Sequence, residues 1–233
     1  MSALTPFRFS DLRTINRLAG WLLLPPALLS LVGIVHLLLS YALLTGLSPD
    51  IAIDNLAVLN RMLERDRVLR LTQISLTIVF ILFFCFCWLY VAFRNLNALC
   101  ESQHRVARHG LAIHWHIWSN VLFALRLMNR LWRESTPDSH ADRAERWLVP
   151  WWWGVLISAN VCKIIAIVVL SHPDNVGEWR EGSYWMLAAY AFYFGLFVLT
   201  WRLVKRLEVL QRAYWRHLNG GGRGRAAPAA VLS

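Results

Sequence analysis

A chain of 233 residues that is 57% hydrophobic and only 16% charged is too apolar for an ordinary soluble domain, and it reads as one membrane domain with modest loops. Its formal charge of +10, mostly from arginine, speaks in such a chain for topology and contact with anionic headgroups rather than for nucleic acid. Cys85, Cys87, Cys100 and Cys162 lie in or just after apolar runs, so no loop carries a disulfide pair or a metal knuckle, and the four read as small apolar residues.

The amino terminus, Met1 to Arg17, interleaves Arg8, Arg13 and Arg17 with Phe7, Phe9, Leu12 and Ile15, a basic amphipathic lead-in suited to the membrane surface. It is too polar, and the apolar run after it too long, for a cleaved signal peptide. The first predicted span is 21–47, without a charge from Trp21 to Leu47, and Pro25-Pro26 should bend or begin the helix near its start. Residues 54–70 carry Leu56, Leu59 and Leu63 with Arg61 and Arg65 at helical spacing, a short amphipathic helix leading into span two at 71–93, bracketed by Arg70 and Arg94.

Between spans two and three, Trp118, Val121, Leu122, Leu125, Met128 and Trp132 recur at steps of three and four, with Arg126, Arg130 and Arg133 around the other side. The pattern predicts an interfacial amphipathic helix over 115–133, apolar face on lipid and arginines toward headgroups. Pro150 suits the first turn of span three at 151–170, with Trp151, Trp152 and Trp153 as membrane anchors. A short acidic loop leads to span four at 183–201, stopped by Arg202, Lys205 and Arg206. Residues 1–219 then form one domain, and the Gly- and Arg-rich stretch 220–233 is a disordered tail.

The fold class expected is therefore all-α: an integral membrane bundle of four transmembrane helices plus the interfacial helix. Eighteen Lys and Arg fall before span one, in 94–146 and from Arg202 onward, against five in the two remaining connections. The positive-inside rule then puts both termini and the long loop in the cytoplasm.

Arg94-Asn95-Leu96, Ala112-Ile113-His114-Trp115, Asn120, Leu131-Trp132-Arg133-Glu134-Ser135 and Pro150-Trp-Trp-Trp-Gly, with Ser158 and Asn160, resemble the bacterial membrane family called domain of unknown function 4328. The resemblance covers about Arg94 to Lys163 and, more loosely, spans two to four. The chain departs from the family pattern at His114-Trp-His116-Ile-Trp-Ser, where a longer Gly-Trp-Trp-Phe-Ile-Pro type run is usual. The resemblance implies a multi-span protein of the bacterial cytoplasmic (inner) membrane, and no activity.

Lys163 is the one charge inside a predicted span. A central lysine costs about 2.5 to 3.5 kcal/mol on insertion scales, which the surrounding Val, Leu and Ile offset. It either snorkels to outer headgroups or joins Asn160, His36, Tyr190 and Thr77, at similar estimated depth, in a polar layer for an anion or a lipid headgroup. His104, His109, His114 and His116 lack the spacing of a metal site, and His36 alone in a span does not make a haem site, so no metal or cofactor is expected. The absence of Asp or Glu from the predicted spans argues against a proton-coupled carrier. No catalytic motif stands out.

The leading expectation is a non-enzymatic scaffold or accessory subunit. It would bind membrane lipids, with anionic headgroups on the cytoplasmic side, or a protein partner, through the basic face of Arg126, Arg130 and Arg133. Helix contact would use Gly33, Ala188, Ala191 and Gly195 within the chain or in a homo-oligomer. The alternative is an oligomeric transporter or channel-like module built on the Lys163 layer.

Overall fold

The computed structural model describes residues 12–50, 57–101, 121–135, 147–171 and 173–220. All its regular elements are helical: α1 (Arg13–Leu44), α2 (Ala57–Phe83), a π-helical segment (Phe84–Trp88), α3 (Leu89–Glu101), α4 (Val121–Glu134), α5 (Leu148–Leu170) and α6 (Val176–Gly220). Residues 1–11 of the lead-in, 115–120 of the expected interfacial helix, the four histidines between 104 and 116, and the tail 221–233 lie outside the described residues, as does the Arg126 side chain.

Three of these helices are long and apolar enough to cross a membrane, over Arg13–Ala42, Leu148–Leu170 and Val176–Arg216, rather than the four expected. The stretch that does not qualify is the second. Its amphipathic lead-in and its apolar run fuse into one helix, so α2 carries Arg61, Glu64, Arg65, Asp66, Arg67 and Arg70 ahead of Leu71. The apolar run then leaves α-helical geometry at Phe84, where the Leu89 N–H bonds back to the Phe84 carbonyl.

The outer helices also begin earlier than expected. α1 starts at Arg13, so Pro25 and Pro26 stand inside it and remove the i+4 donors of Trp21 and Leu22. Span four lies within a helix of 45 residues, more than twice the roughly 20 a bilayer needs. α6 starts in what reads as the acidic loop because Asn175 caps it: its Oδ1 accepts the Glu178 N–H at 2.9 Å, and Glu178 Oε2 accepts the Asp174 N–H at 3.0 Å.

The chain forms two compact units. One takes residues up to Leu18, Leu82–Val149 and Arg202 onward. Its core holds Trp88, Leu96, Leu99, Leu131, Leu148 and Leu207, and Phe84 stacks on Trp88 at 4.7 Å. α4 packs on α3 and buries Met128, Leu131 and Trp132, while Arg130 and Arg133 stay exposed. The described part of its apolar face, Met128, Leu131 and Trp132, is thus taken up by protein rather than turned to lipid, the surface expected for it.

The other unit takes Ala19–Ile81 and Pro150–Trp201. Large apolar side chains of α1 (Trp21, Leu24, Leu28, Val32, Val35, Leu39) and α5 (Trp151, Ile157, Val161, Ile164, Val168) are exposed at steps of three to six. Stripes of that length mark a lipid-facing surface. Behind them lies an apolar core of Leu37, Ala166, Leu170, Val176, Trp179 and Met186, with buried polar groups set among it.

Candidate functional site

Named contacts fix the helix registers within the second unit. α1 and α2 run antiparallel, joined where Gln73 Nε2 donates to Ser30 Oγ at 2.8 Å, and His36 Nε2 stands 3.6 Å from Asp66 Oδ1. α1 and α6 approach at Gly33, where a Cβ would lie 2.7 Å from the Tyr190 ring, and at Gly20, where it would lie 2.4 Å from the Trp201 ring. α5 and α6 are joined by Trp152 Nε1 donating to Thr200 Oγ1 at 2.7 Å and by Tyr193 Oη donating to Asn160 Oδ1 at 3.0 Å.

These registers stack polar groups along the unit. Ser30, Gln73 and Tyr193 form one level on its inside, with Asn160, itself exposed, at its edge. Arg70, Lys163 and Tyr190 stand a turn further toward the 45–50 connection, and His36 with Asp66 a turn beyond that. Lys163 is 9% exposed, with Nζ 4.9 Å from the centre of the Tyr193 ring. It points inward onto an aromatic face, where a cation is favoured by the ring quadrupole, rather than snorkelling out. The Arg70 guanidinium, half-buried, is within electrostatic range of Lys163, Asp66 and Tyr190. The Tyr190 hydroxyl is buried without a hydrogen-bond partner among the described residues.

The structure brings some residues of the expected layer together and not others. Lys163 and Asn160 converge on Tyr193, and Tyr190 is at the level of Lys163. Thr77 does not join them: it lies seven residues beyond Arg70 on α2, about 10 Å from the Lys163 level at 1.5 Å per residue, nearer the level of Pro26. Asp66 and Arg70, at the end of the short amphipathic helix expected ahead of span two, belong to the cluster. Asp66 is 1% exposed, and neither of its oxygens accepts a hydrogen bond among the described residues. Its spacing of three from Leu63 and seven from Leu59 sets it on the leucine face, apart from its exposed neighbours Glu64 and Arg65. That this face meets His36 is shown only by the structure.

His36 also lines an open groove of about 390 Å³ between α1 and α2, with Val32, Val68 and Leu69 as its apolar wall and Glu64 and Arg65 at its rim. The three tryptophans of α5 diverge, as successive helical residues must. Trp151 is exposed and suits an anchor, Trp152 is tied to Thr200, and Trp153 is buried. Of the small residues expected at helix contacts, Gly33 admits the Tyr190 ring, whereas Ala191 is exposed and a Cβ on Gly195 would meet nothing within 4 Å.

The first unit holds a second polar network, this one bonded throughout. Asn16 Nδ2 donates to Glu208 Oε2 at 2.6 Å, Trp88 Nε1 donates to Asn16 Oδ1 at 2.7 Å, and Arg212 pairs with Glu208 Oε1. Gln211 Nε2 donates to the Ala92 carbonyl and to Ser135 Oγ, both at 3.1 Å, and its Oε1 accepts from Asn95 at 3.4 Å. Two residues quoted above for the family resemblance, Asn95 and Ser135, thus meet on one glutamine. Such a closed set ties helices together and offers no open group for chemistry. Of the arginines expected to face headgroups, Arg130 pairs with Glu134 at 2.7 Å and Arg133 is exposed.

Compared with known proteins, residues 55–209 match the family described as Domain of unknown function (DUF4328). No curated protein and no solved structure matches the chain.

Proposed function

The chain belongs to the DUF4328 family, and we propose that it is a non-enzymatic, multi-span membrane protein that binds an anionic group, a lipid phosphate first of all, beside Arg70 and Lys163. The observation that carries this reading is electrostatic. Two cations come within range of one another in a mostly buried cluster that offers one carboxylate, Asp66. Like charges gathered in a low-dielectric interior are costly unless an anion joins them. Tyr190 adds a hydroxyl donor and Tyr193 a ring that holds the lysine in place.

The same reading has four crossings, with the second supplied by residues 57–81 of α2 rather than by 71–93. In support, α1 and α2 run antiparallel within the second unit, from Ser30 and Gln73 to His36 and Asp66. An even number of crossings keeps both termini on one side, and the arginine excess at that end makes it the cytoplasmic side of an inner membrane.

The test is lipid retention by the purified full chain, read by native mass spectrometry in the presence of phosphatidylglycerol. Arg70→Gln and Lys163→Gln should each weaken retention about 10-fold or more, the worth of a hydrogen bond to a charged group. Unchanged retention in both variants would dismiss the site.

The exposure of Arg133 on α4 favours a second role, as an accessory subunit that docks a protein partner through its basic face. Co-purification that fails with Arg133→Glu while lipid retention persists would identify it. Flux or conductance by a symmetric oligomer would favour the transporter reading instead.

A further inference from the structure

We infer that His36 and Asp66 together bind a proton, reached through the groove at His36, and that this proton tunes the neighbouring cation pair. The second half of that statement rests on the anion site proposed above; the first does not.

Three observations converge on the pair. First, an acid and a base face each other across 3.6 Å, too far for a hydrogen bond. Asp66 Oδ1, Asp66 Oδ2 and His36 Nε2 are all buried atoms with no other partner among the described residues. A buried carboxylate without donors costs several kcal/mol as an anion. A proton shared between Oδ1 and Nε2, with a closure of under about 1 Å, satisfies both residues at once. Second, His36 is reachable and Asp66 is not: the imidazole is 20% exposed and lines the groove, whereas the carboxylate is 2% exposed and behind it. A proton therefore arrives on the imidazole and passes inward. Third, the charged groups around the pair are arranged asymmetrically. Arg70 on α2, Lys163 on α5 and the Tyr190 hydroxyl on α6 are on the inner side, while Glu64 and Arg65 stand at the groove rim.

The consequence has a definite sign. Without the proton, an ionised Asp66 and a neutral His36 contribute one negative charge that competes with any anion for Arg70 and Lys163. With it, that charge is cancelled and the cation pair is left to the anion. Anion binding must then tighten as pH falls, and a bound anion must in turn raise the affinity for the proton.

The experiment uses the full chain in nanodiscs. His36 is followed through its ring-nitrogen NMR signals and Asp66 through the carboxyl stretch in pH-difference infrared spectra. One common midpoint is expected for both. Asp66→Asn should displace the His36 midpoint, while Glu64→Gln, on the exposed rim, leaves it in place. Independent midpoints, or a His36 titration unchanged by Asp66→Asn, overturn the pair.

Binding of phosphatidylglycerol and of inorganic phosphate is then measured across the same pH range. Affinity should rise as pH falls through the midpoint, by at most about tenfold per pH unit for one linked proton, and Asp66→Asn and His36→Gln should flatten that slope. Binding of the lipid alone, or of both probes, separates a headgroup from free phosphate. An undiminished slope in both variants overturns the coupling while the anion site stands. No binding of either probe at any pH removes the anion site and the coupling with it, and leaves the proton pair to the common midpoint.

Discussion

Asn16 offers a sharp test of how the first unit is held together. It is fully buried, and its amide makes two hydrogen bonds of opposite sense, giving to Glu208 at 2.6 Å and receiving from Trp88 at 2.7 Å. Asn16→Leu keeps the size and removes both. The Trp88 N–H is then left buried and unpaired, at about 1 to 3 kcal/mol, and Glu208 loses a bond to a charged group, about 1.5 to 3 kcal/mol. Together the loss should be about 3 to 5 kcal/mol, a fall in melting temperature on the order of 10 °C for a chain of this size. Asn16→Asp is the discriminating variant. It still accepts from Trp88 but sets a carboxylate against that of Glu208, so at neutral pH it should melt at least as early as Asn16→Leu. It should recover as pH falls far enough for a proton to bridge the two carboxylates. Melting of the detergent-purified chain, followed by tryptophan fluorescence, reads both. An Asn16→Asp protein as stable as the parent at neutral pH would refute the network's role.

Gly33→Ala should destabilise the chain by about 1 to 3 kcal/mol in the same assay, because its Cβ would come within 2.7 Å of the buried Tyr190 ring. Gly154→Ala, in the open on α5, should instead be neutral or gain up to about 1 kcal/mol from helix propensity. Gln211→Leu removes the buried bonds to the Ala92 carbonyl and to Ser135 Oγ and should cost about 2 to 4 kcal/mol, with Ser135→Ala costing less. For the four-crossing topology, phosphatase reporters fused at Met1 and at Ser233 should agree with each other and disagree with one inserted at Gly46. Opposite readings at the two termini would leave an odd number of crossings.

Where the chain's signals are one-dimensional, the sequence is a good guide. The apolar runs of α1, α5 and α6 are visible as runs, and a lone lysine among Val and Ile residues draws attention to Lys163. Two kinds of information are not one-dimensional. Hydropathy ranks 71–93 above 57–81 because the later stretch is uniformly apolar. Yet Trp88, Ala92 and Phe93 there are buried in the core of the first unit, not set out toward lipid. The partner of α1 is the charged stretch before it, a fact carried only by the contacts of Ser30 with Gln73 and of His36 with Asp66. Helical periodicity sets Asp66 on the leucine face, three residues from Leu63 and seven from Leu59, but does not say what that face meets. Its burial is a property of α1 and α2 together.

The same register bears on whether the second unit binds or conducts. On α2, every charge falls between Arg61 and Arg70, and none follows up to Phe83. Lys163 is seven residues from the end of α5 at Leu170, and His36 eight from the end of α1 at Leu44, so both are within about 12 Å of helix ends on the side of the 45–50 connection. Further along, the unit's buried polar groups are neutral: Gln73 bonds to Ser30 and Trp152 to Thr200, while Thr77 Oγ1 and Trp153 Nε1 have no partner among the described residues. Beyond them Gly20 is pressed against the Trp201 ring. An ion or proton entering from the connection side meets ionisable groups for half the depth of the unit and then neutral amides, hydroxyls and indoles, with no charge to pass to among the described residues. That asymmetry suits a site that holds its ligand better than a path that carries it through.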